Sequence, residues 1–173
     1  MTQTRYLGAP AYFMGLVLVL FPLAETVLVV LPIRAGEVGW RFGATGLLSR
    51  ALMTPLLGIL LMLAVALLLG HRRVLRVISV FCTVGALILA GLVVLFLLDA
   101  LQMRVQVRPE AKTSFDLATL SSAFKHVVVV ALLAVFARAG WKGSRAMAAK
   151  RPPRESRNAD LLVSAPRADA GKE

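Results

Sequence analysis

Four long apolar runs separated by short polar intervals dominate the chain. They extend over about 11–33, 47–70, 74–98 and 115–137, and each can cross a hydrocarbon layer that takes about 20 helical residues. Leu and Val fill the first three, with few charged residues in their interiors. The fourth is more mixed, because "SFDLATLSSAF" is only mildly apolar and Lys125 and His126 precede the valines of "VVVV". A membrane barrel would need repeated segments of about ten residues alternating in and out, and none is seen, so the runs predict helices. The expected fold is an all-α membrane protein: a bundle of four transmembrane helices over residues 1–140, then a basic, mostly disordered tail over 141–173.

Composition agrees with that pattern. Hydrophobic residues make up 58% of the chain and the mean hydropathy is +0.78, against about 45–50% apolar content in soluble domains. Outside the four runs too little remains to build a second core. The first run reads as a retained helix rather than a cleaved signal. Only Arg5 precedes it, it exceeds the roughly 7–15-residue core of a signal peptide, and "LPIRAGEVGW" offers no small-x-small cleavage site.

Charge sets the expected orientation. The turn "HRRVLR" carries Arg72, Arg73 and Arg76 without an acid, and the segment after the fourth run carries Arg138, Lys142, Arg145, Lys150, Arg151, Arg154 and Arg157. The opposite intervals mix Arg34, Arg41, Arg50, Arg104, Arg108 and Lys112 with Glu37, Glu110 and Asp116. Cytoplasmic loops hold the Lys and Arg excess. Both termini are therefore expected in the cytoplasm, in the inner membrane of a bacterium whose Ala, Arg, Leu and Val usage suits a GC-rich genome. The short "HRRVLR" turn makes the second and third helices antiparallel neighbours.

A net charge of +11 need not mean nucleic acid. Basic residues beside a bilayer gain about 1 kcal/mol each from anionic headgroups, and the tail has no aromatic platform on which bases would stack. Arg72, Arg73, Arg76, Lys142, Arg145, Lys150 and Arg151 form the expected membrane-surface set, with the lipid bilayer as partner and no nucleic acid.

Candidate chemistry is sparse. No GxSxG, HExxH, paired-aspartate or phosphate-cradling glycine motif occurs. Cys82 stands alone, which excludes a disulfide, a CxxC pair and a thiolate metal cluster within the chain. His71 and His126 differ in depth by roughly 20 Å at 1.5 Å per residue, too far to share one haem iron. No cofactor, metal or enzymatic activity is expected.

The polar residues inside the runs are the remaining candidates. Glu25 lies roughly 12 Å from the outer end of its run and Lys125 roughly 15 Å from the outer end of the fourth. An isolated charge at such depth costs several kcal/mol, so Glu25 is expected to pair with Lys125 or Arg50 inside the bundle, with His126 close by. Pairing would fix helix register; the alternative is a small proton-coupled transporter using Glu25. A glutamate in the first helix of a four-helix chain resembles the small multidrug resistance transporters, whose helix-one carboxylate exchanges protons for cationic substrates.

Small residues mark the expected packing faces: Gly85, Ala86, Ala90 and Gly91 in the third helix, and Pro55 and Gly58 in the second. Pro55 is expected to kink its helix or to open its first turn. The stretch "GWRFGATGLLSRALMTPLLGILL", with Trp40, Arg50 and Pro55-Leu56-Leu57-Gly58, resembles the membrane part of HpsJ-like bacterial proteins associated with exopolysaccharide secretion. That resemblance implies an accessory or scaffold subunit in an envelope assembly, bound to other membrane subunits or to itself.

Overall fold

The computed structural model describes residues 8–149. In chain order they form α1 (Gly8–Val30), α2 (Val38–Ala51), α3 (Met53–Leu68), α4 (Arg72–Gln106), a 3-10 turn (Pro109–Ala111) and α5 (Lys112–Ala149). Among the described residues there is no strand. Three helices are long and apolar enough to cross a membrane: α1, α4, and α5 with its 3-10 turn. α2 and α3 are together long and apolar enough but bend by 44° between them, so among the described residues the candidate spans number three, or four if the bent pair is one.

The bend falls where Pro55 is expected to kink the helix or to open its first turn, but the span expected over 47–70 is two helices, and the first of them starts earlier, at Val38. Pro55 has no N–H, so the helical hydrogen bond to the Ala51 carbonyl cannot form. The chain swings at Leu52 while keeping the bonds on either side: Leu52 N–H donates to the Leu48 carbonyl at 3.2 Å and Leu56 N–H to the Leu52 carbonyl at 3.3 Å. Pro55 thus sits in the first turn of α3, where a proline is best tolerated. Trp40, on α2, donates its indole N–H to the Val30 carbonyl at 3.1 Å, which caps the end of α1 and holds α2 against it.

Two tight antiparallel pairs carry the packing. α4 runs along α5 and α1 along α3, while α2 and α3 both touch α4. On α4 the buried positions are Leu75, Ile78, Ser79, Cys82, Ala86, Leu89, Phe96, Asp99 and Ala100. Facing them on α5 are Ala123, His126, Val129, Leu133, Ala137, Gly140 and Ser144. These recur at steps of three and four, the seam of a left-handed supercoil. The buried serines turn inward on their own helices, Ser79 donating to the Leu75 carbonyl at 2.7 Å and Ser144 to the Trp141 carbonyl at 3.0 Å. With their hydroxyls satisfied they serve as small packing residues.

Both α4 and α5 outrun their apolar segments. α4 continues past Leu98 until the approach to Pro109 disfavours helix. α5 continues past Ala137 because Gly140 and Gly143 let it press on its neighbours. A methyl group at Gly140 would collide with the Ser79 hydroxyl and lie 3.1 Å from the Leu75 carbonyl, and one at Gly143 would lie 2.8 Å from Leu67 Cδ2. Residues 141–149 therefore belong to α5 rather than to a tail. The disorder expected beyond them concerns residues 150–173, which lie outside the described residues together with Lys150 and Arg151.

The small-residue faces divide. Ala86, Pro55 and Gly58 are buried, and a methyl group at Gly85 would make ordinary contact with Leu133 at 3.7 Å. Ala90 and Gly91 instead lie on the exposed face, and Gly91 looks into open space. The seam passes from Ala86 to Leu89, leaving Ala90 and Gly91 turned away. α1 and α3 come close where Gly15 meets Gly58: a methyl group on Gly58 would lie 2.6 Å from the Gly15 carbonyl oxygen and one on Gly15 3.0 Å from that of Gly58.

Candidate functional site

The strongest polar feature is an ion pair between α2 and α4. Asp99 is buried, with 4% of its surface exposed. Arg41 reaches it with two nitrogens, Nε donating to Oδ2 at 3.0 Å and Nη2 to Oδ1 at 2.6 Å, while Nη1 donates to the Ala35 carbonyl at 2.9 Å. Two parallel bonds to one carboxylate fix geometry as well as charge. Beside the pair a mainly apolar cavity of about 330 Å3 is lined by Thr26, Val30, Trp40, Leu92 and Leu95. Sequence reasoning passed over Asp99, which follows the apolar run 74–98 by one residue. The available signal was an acid placed three residues after Phe96, on the face the seam buries.

An aromatic stack adjoins this pair. Phe42 on α2 lies against Phe96 on α4 at 4.9 Å between ring centres and against Phe115 on α5 at 5.3 Å; Phe96 meets His126 at 6.0 Å. His126 is fully buried. Its Nδ1 lies 2.8 Å from the Ser122 carbonyl, which can only accept, so Nδ1 carries the proton. Nε2 then has no hydrogen-bond partner among the described residues, and neither does the buried Thr119 Oγ1. One consequence is testable by thermal unfolding in mild detergent. His126→Leu keeps the volume and removes an unsatisfied nitrogen, so stability should stay within about 1 kcal/mol of the parent, whereas His126→Ala should lose about 2–4 kcal/mol by leaving a cavity.

The expected partnership of Glu25 does not form. Among the described residues the ion pairs within 4.0 Å are Arg34 with Glu37, Arg41 with Asp99, and Arg104 with Asp116. Lys125 is exposed on α5, a helix that α1 does not touch. Matching depth was therefore insufficient, because the two residues sit on helices from different pairs. Arg50 is nearer: it shares an outward groove of about 490 Å3 with Glu25, Thr26 and Thr54, where α1 passes the α2–α3 bend. Both charged residues are exposed, and His126 is buried elsewhere, against α4.

The opposite end of the helices is basic. Arg72, Arg73 and Arg76 begin α4, and Arg138, Lys142 and Arg145 lie on the last turns of α5. Tyr12 on α1 stacks on His71 at 5.9 Å, and its hydroxyl is 3.0 Å from His71 Nδ1, tying the start of α1 to the turn between α3 and α4. Compared with protein-family models, with curated proteins and with solved structures, the chain matches none.

Proposed function

We propose that this chain is a non-catalytic accessory or scaffold subunit of a larger bacterial envelope assembly. It crosses the inner membrane four times, the bent α2–α3 pair forming one crossing, with both termini in the cytoplasm, where the arginine excess of the α3–α4 turn and of α5 would lie.

The observation that carries this reading is the outward groove holding Glu25 and Arg50. An acid and a base turned away from the chain's own interior at membrane depth are costly against lipid, whether apart or joined as a pair. A helix of another subunit, or of a second copy, would cover them with polar groups. α1 supports the same reading, because only 11% of its most apolar window is buried. The HpsJ-like stretch at residues 39–61 spans Arg50 and the bend beside this groove, and fits an envelope role.

The test is Glu25→Gln. With no ion-pair partner for Glu25 within 4.0 Å among the described residues, the purified variant should unfold within about 0.5 kcal/mol of the parent. Its association in native membranes should weaken, read as loss of co-purifying subunits or of self-crosslinking through a cysteine at Val29. Unchanged association would refute the scaffold reading. The groove also gives the transport alternative its one foothold, an unpaired carboxylate on α1; a lone protein with pH-dependent binding of a cationic ligand that Glu25→Gln abolishes would favour it.

A further inference from the structure

At the basic end of α4 and α5 an open groove of about 770 Å3 runs between the two helices. We infer that it seats one anionic phospholipid, its phosphodiester headgroup on Arg138, Lys142 and Arg145 and an acyl chain in the trough below.

The cations occur at steps of four and three, so they share one face of α5. All three line the groove. No acid does, and the acidic residues of the described chain, Glu25, Glu37, Asp99, Glu110 and Asp116, lie toward the other end. Like charges on successive helical turns repel, and an anion held among them relieves that repulsion. Arginine supplies the planar donor fork that fits phosphate oxygens, and lysine adds a point charge. Below the cations the wall turns apolar and small: Ala86, Leu87, Ala134 and Ala137 leave a trough rather than a filled seam. From Arg138 to Ala134 the apolar part of the wall descends about 6 Å at 1.5 Å per residue, enough to seat the first methylenes of an acyl chain just below the headgroup. Trp141, 40% exposed, lies on the groove at the level where indole rings favour the headgroup boundary. Thr83 contributes no free donor, since its hydroxyl is engaged with the Ser79 carbonyl at 2.8 Å. A cationic rim above a hydrocarbon-lined trough, open sideways, has the polarity pattern of a lipid. Inorganic phosphate would leave the trough empty.

Trp141 makes the site readable. In the full chain carrying Trp40→Phe it is the sole tryptophan, and acyl chains brominated close to the headgroup quench only a ring they touch. The protein is reconstituted in phosphatidylcholine vesicles with rising fractions of brominated phosphatidylglycerol or, separately, brominated phosphatidylcholine. The anionic lipid should quench at several-fold lower mole fraction and saturate, and added inorganic phosphate should not reverse it. Adding Arg138→Gln, Lys142→Gln and Arg145→Gln together should bring the anionic curve onto the zwitterionic one. The zwitterionic curve itself should not move, which shows that the variant is still inserted. Equal curves for the two lipids in the parent would overturn the inference. So would a preference that survives the triple change, reversal by free phosphate, or a Trp141 that neither lipid quenches because protein covers it.

Discussion

Arg41→Met should lower the unfolding temperature of the solubilised protein more than removal of any other charged side chain, because it strands a buried acid. The change leaves the Asp99 carboxylate buried on α4 with both of its 2.6 and 3.0 Å bonds gone. A carboxylate left unpaired in that position costs about 3 kcal/mol. The arginine's own exposed edge contributes little to this figure; the loss arises from the acid that remains. A second substitution separates this account from a simple loss of packing. Buried ion pairs replaced by apolar residues of similar volume are often neutral in stability, so Arg41→Met with Asp99→Leu should recover most of the loss. Thermal unfolding of the parent, both single variants and the double variant gives the coupling directly, and additive losses would show that the two residues do not act as a pair.

Gly58→Val separates α1 from α3. Even a methyl group at this position would lie 2.6 Å from the Gly15 carbonyl oxygen, 2.9 Å from Val19 Cγ2 and 3.0 Å from Leu18 Cβ. The first of these is backbone and cannot rotate away, so the helices must part. Overpacking of this kind costs about 1–3 kcal/mol or more, and the two further methyl groups of valine place it at the upper end. Gly91→Val is the matched control, since nothing lies within 4 Å of a methyl group there. Crosslinking between cysteines at Tyr12 and His71, whose side chains meet where α1 passes the end of α3, should fall in the Gly58 variant and persist in the Gly91 variant. Equal behaviour of the two would mean that α1 does not cross α3 at Gly15 and Gly58.

Where the fold was legible, apolar length was the reason. A run of Leu and Val long enough to cross a bilayer has few alternatives to a helix, and α1, α4 and α5 follow their runs. Hydropathy marks where a segment leaves hydrocarbon rather than where its hydrogen bonds stop, so α4 and α5 extend beyond Leu98 and Ala137. The α2–α3 bend was half visible: Pro55 was recognisable as a breaker, but the helix before it was hidden by the modest polarity of "VGWRFGATG". Partner choice was not legible. Depth along a helix follows from counting residues, whereas its facing direction depends on which helices become neighbours. Glu25 and Lys125 share a height and no contact; Arg41 and Asp99 are separated by 58 positions in sequence and share two bonds. The same limit applied to Ala90 and Gly91, whose small size suited a packing face that α4 does not turn toward α5.

The pairing of α1 with α3 also dictates an order of assembly. A ribosome delivers the helices from the first to the last, so α1 is made before the surface that receives Gly15 exists. Its clasp closes only after the α2–α3 bend has been made and Gly58 has followed it into the bilayer. α4 and α5, joined by a single 3-10 turn, zip as soon as the second emerges. Until Gly58 has been made, α1 is held to the rest of the chain only through α2 and the Trp40 bond to Val30.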